Sequence, residues 1–172
     1  MGRAGSRIII DAFNLFHRWG PTRDAFLADG DIGRTVTRAL ARFLPLLRRL
    51  PGAHTLVLDG GVRAVSERRG GATVRYAGPG RKADAVILDM VRESPRPHDV
   101  RVVTTDRALG GGARALGAQP QTVEDFLDEL SALPDPEPGN PLKDARPSEE
   151  EVRRYLSIFG DGSDIGGDGS DR

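Results

Sequence analysis

The chain has 172 residues, no net formal charge and no cysteine. That length suits one domain plus a tail, and leaves no room for a second full domain. Without cysteine there are no disulfides, thiolate nucleophiles or thiolate-bound zinc, so any metal ligands are oxygen or imidazole, and a reducing cytoplasm is the expected location. Charge is unevenly spread: the first 134 residues hold 20 basic against 15 acidic residues, and the remainder 5 against 10.

Residues 7–11 read as a strand covered on both faces, because Ile8-Ile9-Ile10 is apolar and β-branched without alternation. The run ends abruptly in Asp11, with Asn14 three residues on. It is too short for a signal-peptide core or a membrane span, and no other run is long enough to cross a bilayer, so no membrane partner is expected. Residues 12–31 have polar and glycine punctuation and are expected to form a long loop. Trp19 within it is placed to cover the core edge or to stack a base.

From Gly33 to Leu50, Val36, Leu40, Phe43, Leu44 and Leu47 recur at helical spacing, and Pro45 is expected to kink or break the helix. Residues 54–59 form a second apolar strand ending in Asp59, followed by Gly60-Gly61. Residues 62–71 are polar and basic, and Thr73–Tyr76 suits a short strand. The loop 77–82 carries Arg81 and Lys82 into a helix over 83–93, with Asp84 in its first turn, where a carboxylate is favoured by the macrodipole.

Residues 100–105 are the third strong strand, ending at Asp106. The helix after it is expected to be weak or late, since Gly110-Gly111-Gly112 costs about 1 kcal/mol per glycine relative to alanine. A short edge strand near 117–119 and a helix capped by Thr122 follow. Residues 134–147 hold five prolines and read as a linker. Ser148 opens a capped helix over 148–160, with Val152, Tyr155, Leu156 and Phe159 on one side. Residues 161–172 form an acidic tail expected to be disordered. Residues 1–133 are thus the globular body, a three-layer α/β/α domain with a mainly parallel sheet.

Three acids end strands and a fourth begins a helix. In an open parallel sheet the carboxyl ends of the strands share one edge, where ligands bind. Asp11, Asp59, Asp84 and Asp106 gathered there would raise one another's pKa unless a cation neutralised them, and oxygen-only ligands favour Mg²⁺ or Mn²⁺. Each acid taken singly is equally explained as a turn former or helix cap. A haloacid-dehalogenase-type phosphatase requires an acid two residues after the first, where this chain has Phe13. There is no GxGxxG after the first strand, no Walker lysine and no GxSxG elbow, and His17, His54 and His98 lack metal spacing.

Ile-Ile-Ile-Asp11-Ala-Phe-Asn14, Val-Leu-Asp59-Gly-Gly, Lys82-Ala-Asp84-Ala-Val-Ile and Val-Val-Thr-Thr-Asp106-Arg-Ala, in that order, resemble the NYN domain of the PIN-like superfamily. The likeness is greatest to its YacP-like (Rae1-type) bacterial endoribonucleases, and covers residues 7–131. It implies a PIN-like α/β/α sandwich, metal-dependent cleavage of RNA and, for close relatives, association with ribosomes and mRNA decay. Asp11, Asp84 and Asp106 match metal-binding acids, Asn14 the amide that orients the first, and Asp59 a less uniform acidic position. Ala12-Phe13 stands where relatives have Gly-Tyr, so that hydroxyl is missing.

The expected protein is a Mg²⁺- or Mn²⁺-dependent endoribonuclease, a monomer or weak homodimer, with Arg18, Arg81, Lys82 and Arg107 on backbone phosphates. The alternatives are a catalytically weak RNA- or ribosome-binding module and a small-molecule phosphatase.

Overall fold

A computed structural model describes residues 6–28, 30–134 and 149–159, with the backbone alone at 151, 152, 155, 156 and 159. The linker, Ser148 and its expected cap, the four apolar side chains assigned to the last helix, and the tail lie outside the described residues. β1 (Arg7–Asp11) is followed by two short helices, α1 (Ala12–Arg18) and α2 (Gly20–Leu27), and a longer one, α3 (Ile32–Leu47). Next come β2 (Ala53–Leu58), β3 (Gly60–Arg69), β4 (Ala72–Gly78) and α4 (Ala83–Arg92). A single 3₁₀ turn precedes β5 (Val100–Val103), and α5 (Arg107–Ala115), β6 (Gln119–Gln121), α6 (Val123–Ala132) and α7 (Glu149–Phe159) complete the chain.

The strands form one sheet in the order β3-β4-β2-β1-β5-β6, parallel except for β3. β1 lies inside it and is covered on both faces. Ile8 and Ile10 enter a core shared with α1, α2, α3, α6 and Ile158 of α7, while Ile9 enters a second core with α4 and α5. Alternation along one strand thus feeds two apolar layers and produces the three-layer sandwich.

Several local expectations are corrected. Residues 12–31 are mainly helical rather than a loop. Asp11 caps α1, Trp19 is extended between the two helices, and Pro21 sits in the first turn of α2, where its missing amide costs nothing. Each helix is too short to reveal a period. Phe16 and Phe26 lie with ring centres 5.5 Å apart, and Phe16 meets Phe43 edge-on at 6.1 Å. Trp19 packs edge-on against Phe43 at 5.1 Å, so it covers the core.

Pro45 does not break α3, which runs on to Leu47. The proline is in the last turn, where only two more helical residues depend on it, and buried Leu44 and Leu47 hold that turn against the core. The basic segment after Asp59 is a strand, β3, joined to β4 by Gly70-Gly71. Both glycines have positive φ, 53° and 89°, as a two-residue hairpin requires.

α5 also starts on time despite its glycines, because Asp106 caps it. A Cβ on Gly112 would lie 3.2 Å from Leu88 Cδ2 of α4, so that glycine permits close helix packing. The C-terminal helix docks on α3 and β3, with Ile158 only 4% exposed and Arg154 paired to Glu67 at 3.0 Å. Among the described residues no helix is long and apolar enough to cross a membrane.

Candidate functional site

The parallel strands deliver their carboxyl ends to one edge, and three of the four acids are held there by helix N-termini. Asp11 ends β1 and accepts from the backbone N–H of Asn14 through Oδ1 at 3.2 Å, capping α1. Asp59, just past β2, accepts from Ala83 N–H at 2.7 Å at the start of α4. Asp106 accepts from Ala108 and Leu109 N–H at 2.7 and 2.9 Å, capping α5. Asp84 lies in the first turn of α4. Three positive helix ends therefore face four carboxylates and offset part of their repulsion. Asp11 and Asp106 are N-caps, Asp59 binds the first amide of α4 from outside that helix, and all four acids share one edge.

Their electrostatics reflect this proximity. Asp11, 7% exposed, is pushed up from 3.8 to about 6, by burial first and also by the charges of Asp84 and Asp59. The bonds from Asn14 and Thr104 oppose this shift. Asp84 is raised by burial and then by Asp106 and Asp59, with Lys82 opposing. Asp84 is thus coupled to all three other acids. Asp11 is the deep member, Asp84 is half-buried, and Asp59 and Asp106 stand at the exposed rim. Among the described residues no three acidic, histidine or cysteine side chains are disposed to hold a metal ion together as they stand.

Asn14 makes two contacts at this edge. Its backbone amide serves Asp11, but its side-chain Oδ1 accepts from Thr105 N–H at 2.9 Å and so ties α1 to the loop carrying Asp106. Thr104 is the link that sequence reasoning left without a role. Its hydroxyl donates to Asp11 Oδ2 at 3.3 Å and accepts from Asp106 N–H at 3.1 Å, joining the deepest acid to a rim acid. The signal was present in Thr104-Thr105-Asp106, but the partner of a hydroxyl 93 positions from Asp11 is a tertiary fact.

Glu124 was missed as well. It accepts from the Thr105 hydroxyl at 3.0 Å and pairs with Arg18 at 2.8 Å. Its carboxyl is held below the usual range by its own backbone amide first, then by Thr105 and Arg18. Arg18 is therefore engaged within the chain, and so is Arg81, which pairs with Asp89. Lys82 and Arg107 are exposed, and neither has a hydrogen-bond or ion-pair partner among the described residues. His54 is buried in β2, and burial followed by Arg101 holds its pKa below the usual value. His17 and His98 are exposed.

The profile of the YacP-like NYN domain matches residues 8–157. The chain belongs to the YacP-like NYN family. This is a nuclease-type family that acts on RNA. The match runs beyond the 7–131 of the motif resemblance and takes in most of α7, in keeping with the docking of that helix on the body. Solved structures that share the fold include Rae1 (YacP) from Bacillus subtilis and a single-substitution mutant of it. The mutant has a TM-score of 0.57 at 14% identity, over 73% of this chain and 75% of that one. The unsubstituted protein has a TM-score of 0.56, also at 14% identity, over 72% of each chain. No curated protein matches the chain.

Proposed function

We propose that this YacP-like NYN protein is an endoribonuclease that hydrolyses RNA phosphodiester bonds with a Mg²⁺ or Mn²⁺ ion held at the four-acid edge. The observation that carries this reading is the coupling of Asp11, Asp59, Asp84 and Asp106, with two of the four lifted in part by the charges of the others. Such a cluster is relieved by a hard divalent cation. The donor set fits an ion that takes one or two carboxylates directly and keeps several waters, as Mg²⁺ does, rather than a closed protein cage. When bound, the ion supplies an activated water and offsets charge developing on the phosphate oxygens.

The chain's own residues do the positioning. Asp11 and Asp84 form the deep part of the site, and Asp59 and Asp106 its mouth. Thr104 fixes the Asp11 carboxylate, and Asn14 holds the Asp106 loop in place. Lys82 and Arg107 flank the edge and are available to backbone phosphates. Arg18 and Arg81 reach a phosphate only by leaving Glu124 and Asp89.

Cleavage of single-stranded RNA, with and without EDTA and in Asp11→Asn, tests the reading. Activity lost in both is expected; cleavage that persists in both overturns it. The bonds of Asp11, Asp59 and Asp106 to helix N-termini favour one second reading, an RNA- or ribosome-binding module with little catalysis, for which binding survives both treatments. Comparing naked with ribosome-bound message tests the cytoplasmic, ribosome-associated substrate that the family resemblance implies.

A further inference from the structure

At the β3 edge of the sheet the cover on the α4 side thins out. On β4, Val74 and Tyr76 enter the core under α3, so Thr73 and Arg75 point to the opposite face, the side of α4 and α5. On β3 the register sets Ser66 opposite Arg75 and Arg68 opposite Thr73, placing both on that same face. Glu67 and Arg69 point the other way, where their side chains are 9% and 16% exposed and Arg154 of α7 meets Glu67. α4 packs chiefly on β1, β2 and β4. The result is a polar patch in which Arg68 and Ser66 are exposed and Arg75 and Thr73 half-buried. Neither Arg68 nor Arg75 has a carboxylate partner among the described residues.

This patch lies on the far side of α4 from Asp11, beside the same carboxyl edge of the sheet. Ile8 and Ile10 enter the first core and Ile9 the second, so Asp11 projects toward the α4 and α5 side, as Arg75 does. Arg75 pairs in register with Val57, and Val57 with Asp11. Arg75 and Asp11 therefore occupy one row of the sheet two strands apart, about 10 Å at the usual strand spacing, with Val57 between them buried under α4. Arg68 is the diagonal neighbour of Arg75, about 7 Å farther from the edge. Lys82, at the start of α4, stands beside the mouth of the site.

We infer that single-stranded RNA leaving the acid cluster passes Lys82 at the start of α4 and continues onto the β3–β4 face beyond that helix, with Arg75 and Arg68 binding backbone phosphates beyond the scissile bond. The patch carries no aromatic side chain, so it supplies no stacking platform, and its contacts are independent of sequence. The inference rests on the RNA-cleaving reading above, and its test separates the two.

Binding of a fluorescent 20-nucleotide single-stranded RNA is measured by anisotropy in EDTA over a range of salt. Each phosphate of a single strand that is deprived of its cationic side chain lowers the slope of log K against log salt by about 0.7, so Arg68→Ala with Arg75→Ala flattens it by about 1.4. Arg68→Lys with Arg75→Lys retains the slope. Removal of two exposed arginines elsewhere, Arg38→Ala with Arg114→Ala, leaves it unchanged. In Mg²⁺, the double alanine variant loses kcat/KM on the long RNA but not on one just long enough to span the acids. An unchanged slope in that variant, or an equal loss in the Arg38 and Arg114 control, overturns the inference. Wild-type binding without cleavage overturns the nuclease reading alone, and absence of any RNA binding overturns both.

Discussion

Asp11→Asn is expected to stabilise the metal-free protein while abolishing cleavage. Asp11 is lifted from 3.8 to about 6, mainly by burial. At about 1.4 kcal/mol per tenfold change in equilibrium constant, this amounts to about 3 kcal/mol of preference for the neutral form. Because the folded pKa is the higher one, the folded state binds the extra proton, and Asp11 is tolerated best below 3.8. As pH rises through about 6 that tolerance is lost, and the buried charge weighs against folding. Asparagine removes the charge, retains the Oδ1 that caps α1, and is as good an N-cap as aspartate. The Thr104 hydroxyl can rotate to accept from the new amide. The expected gain is about 1–3 kcal/mol at pH 8, reduced by whatever local adjustment the amide requires. Urea unfolding in EDTA measures it as a midpoint higher by about 1 M for a typical slope. The gap should narrow as pH falls from 6 toward 4. A variant no more stable at pH 8, or a gap independent of pH, refutes the account of Asp11 as a charge strained by burial and by its neighbours.

Saturating Mg²⁺ should reverse the ranking, because an ion that binds only the folded wild type adds about 2.7 kcal/mol at a hundredfold excess over Kd; thermal melts of both proteins with and without the ion check this. Thr104→Val removes the donor to Asp11 and the acceptor for Asp106 N–H, so chemical denaturation should show a loss of about 1–2 kcal/mol, together with lower cleavage. Gly111→Ala meets nothing within 4 Å and should stabilise α5 by up to about 1 kcal/mol. By contrast, Gly78→Ala places a Cβ 2.7 Å from the backbone nitrogen of Ala64 at φ +87° and should destabilise by about 1–3 kcal/mol; thermal melting distinguishes the pair. Ile158→Ala empties the point where α7 enters the core and should cost about 2–4 kcal/mol in urea unfolding. Little change would show that α7 contributes nothing to the stability of the body.

Elements long enough to display a period were legible. The apolar stripes of α3, α4 and α6 were read from spacing, as were the buried runs of β1, β2 and β5. Short elements were not: α1 and α2 have seven and eight residues, and what makes them helices is a cap from Asp11 and an aromatic cluster completed by Phe43 from a later helix. β3 was obscured by its arginines, although Gly70-Gly71 marked the hairpin. Its polarity follows from its place at the sheet edge, where one face packs under α7 and the other meets solvent.

By itself the sequence determined the layer architecture and which acids end the strands. Periodicity and strand-end chemistry are local properties, and a buried strand advertises itself without its partners. Only the tertiary structure decided what each acid touches, because those partners come from distant segments. Asp59 bonds the start of α4, Thr104 bridges Asp11 and Asp106, and the Asn14 side chain holds the Thr105 backbone rather than Asp11. It likewise decided which cations are spent. Arg18 and Arg81 have carboxylates beside them, whereas Arg68 and Arg75 have none among the described residues. Charge is written in the sequence, but its neutralisation is a matter of which side chains the fold brings within reach.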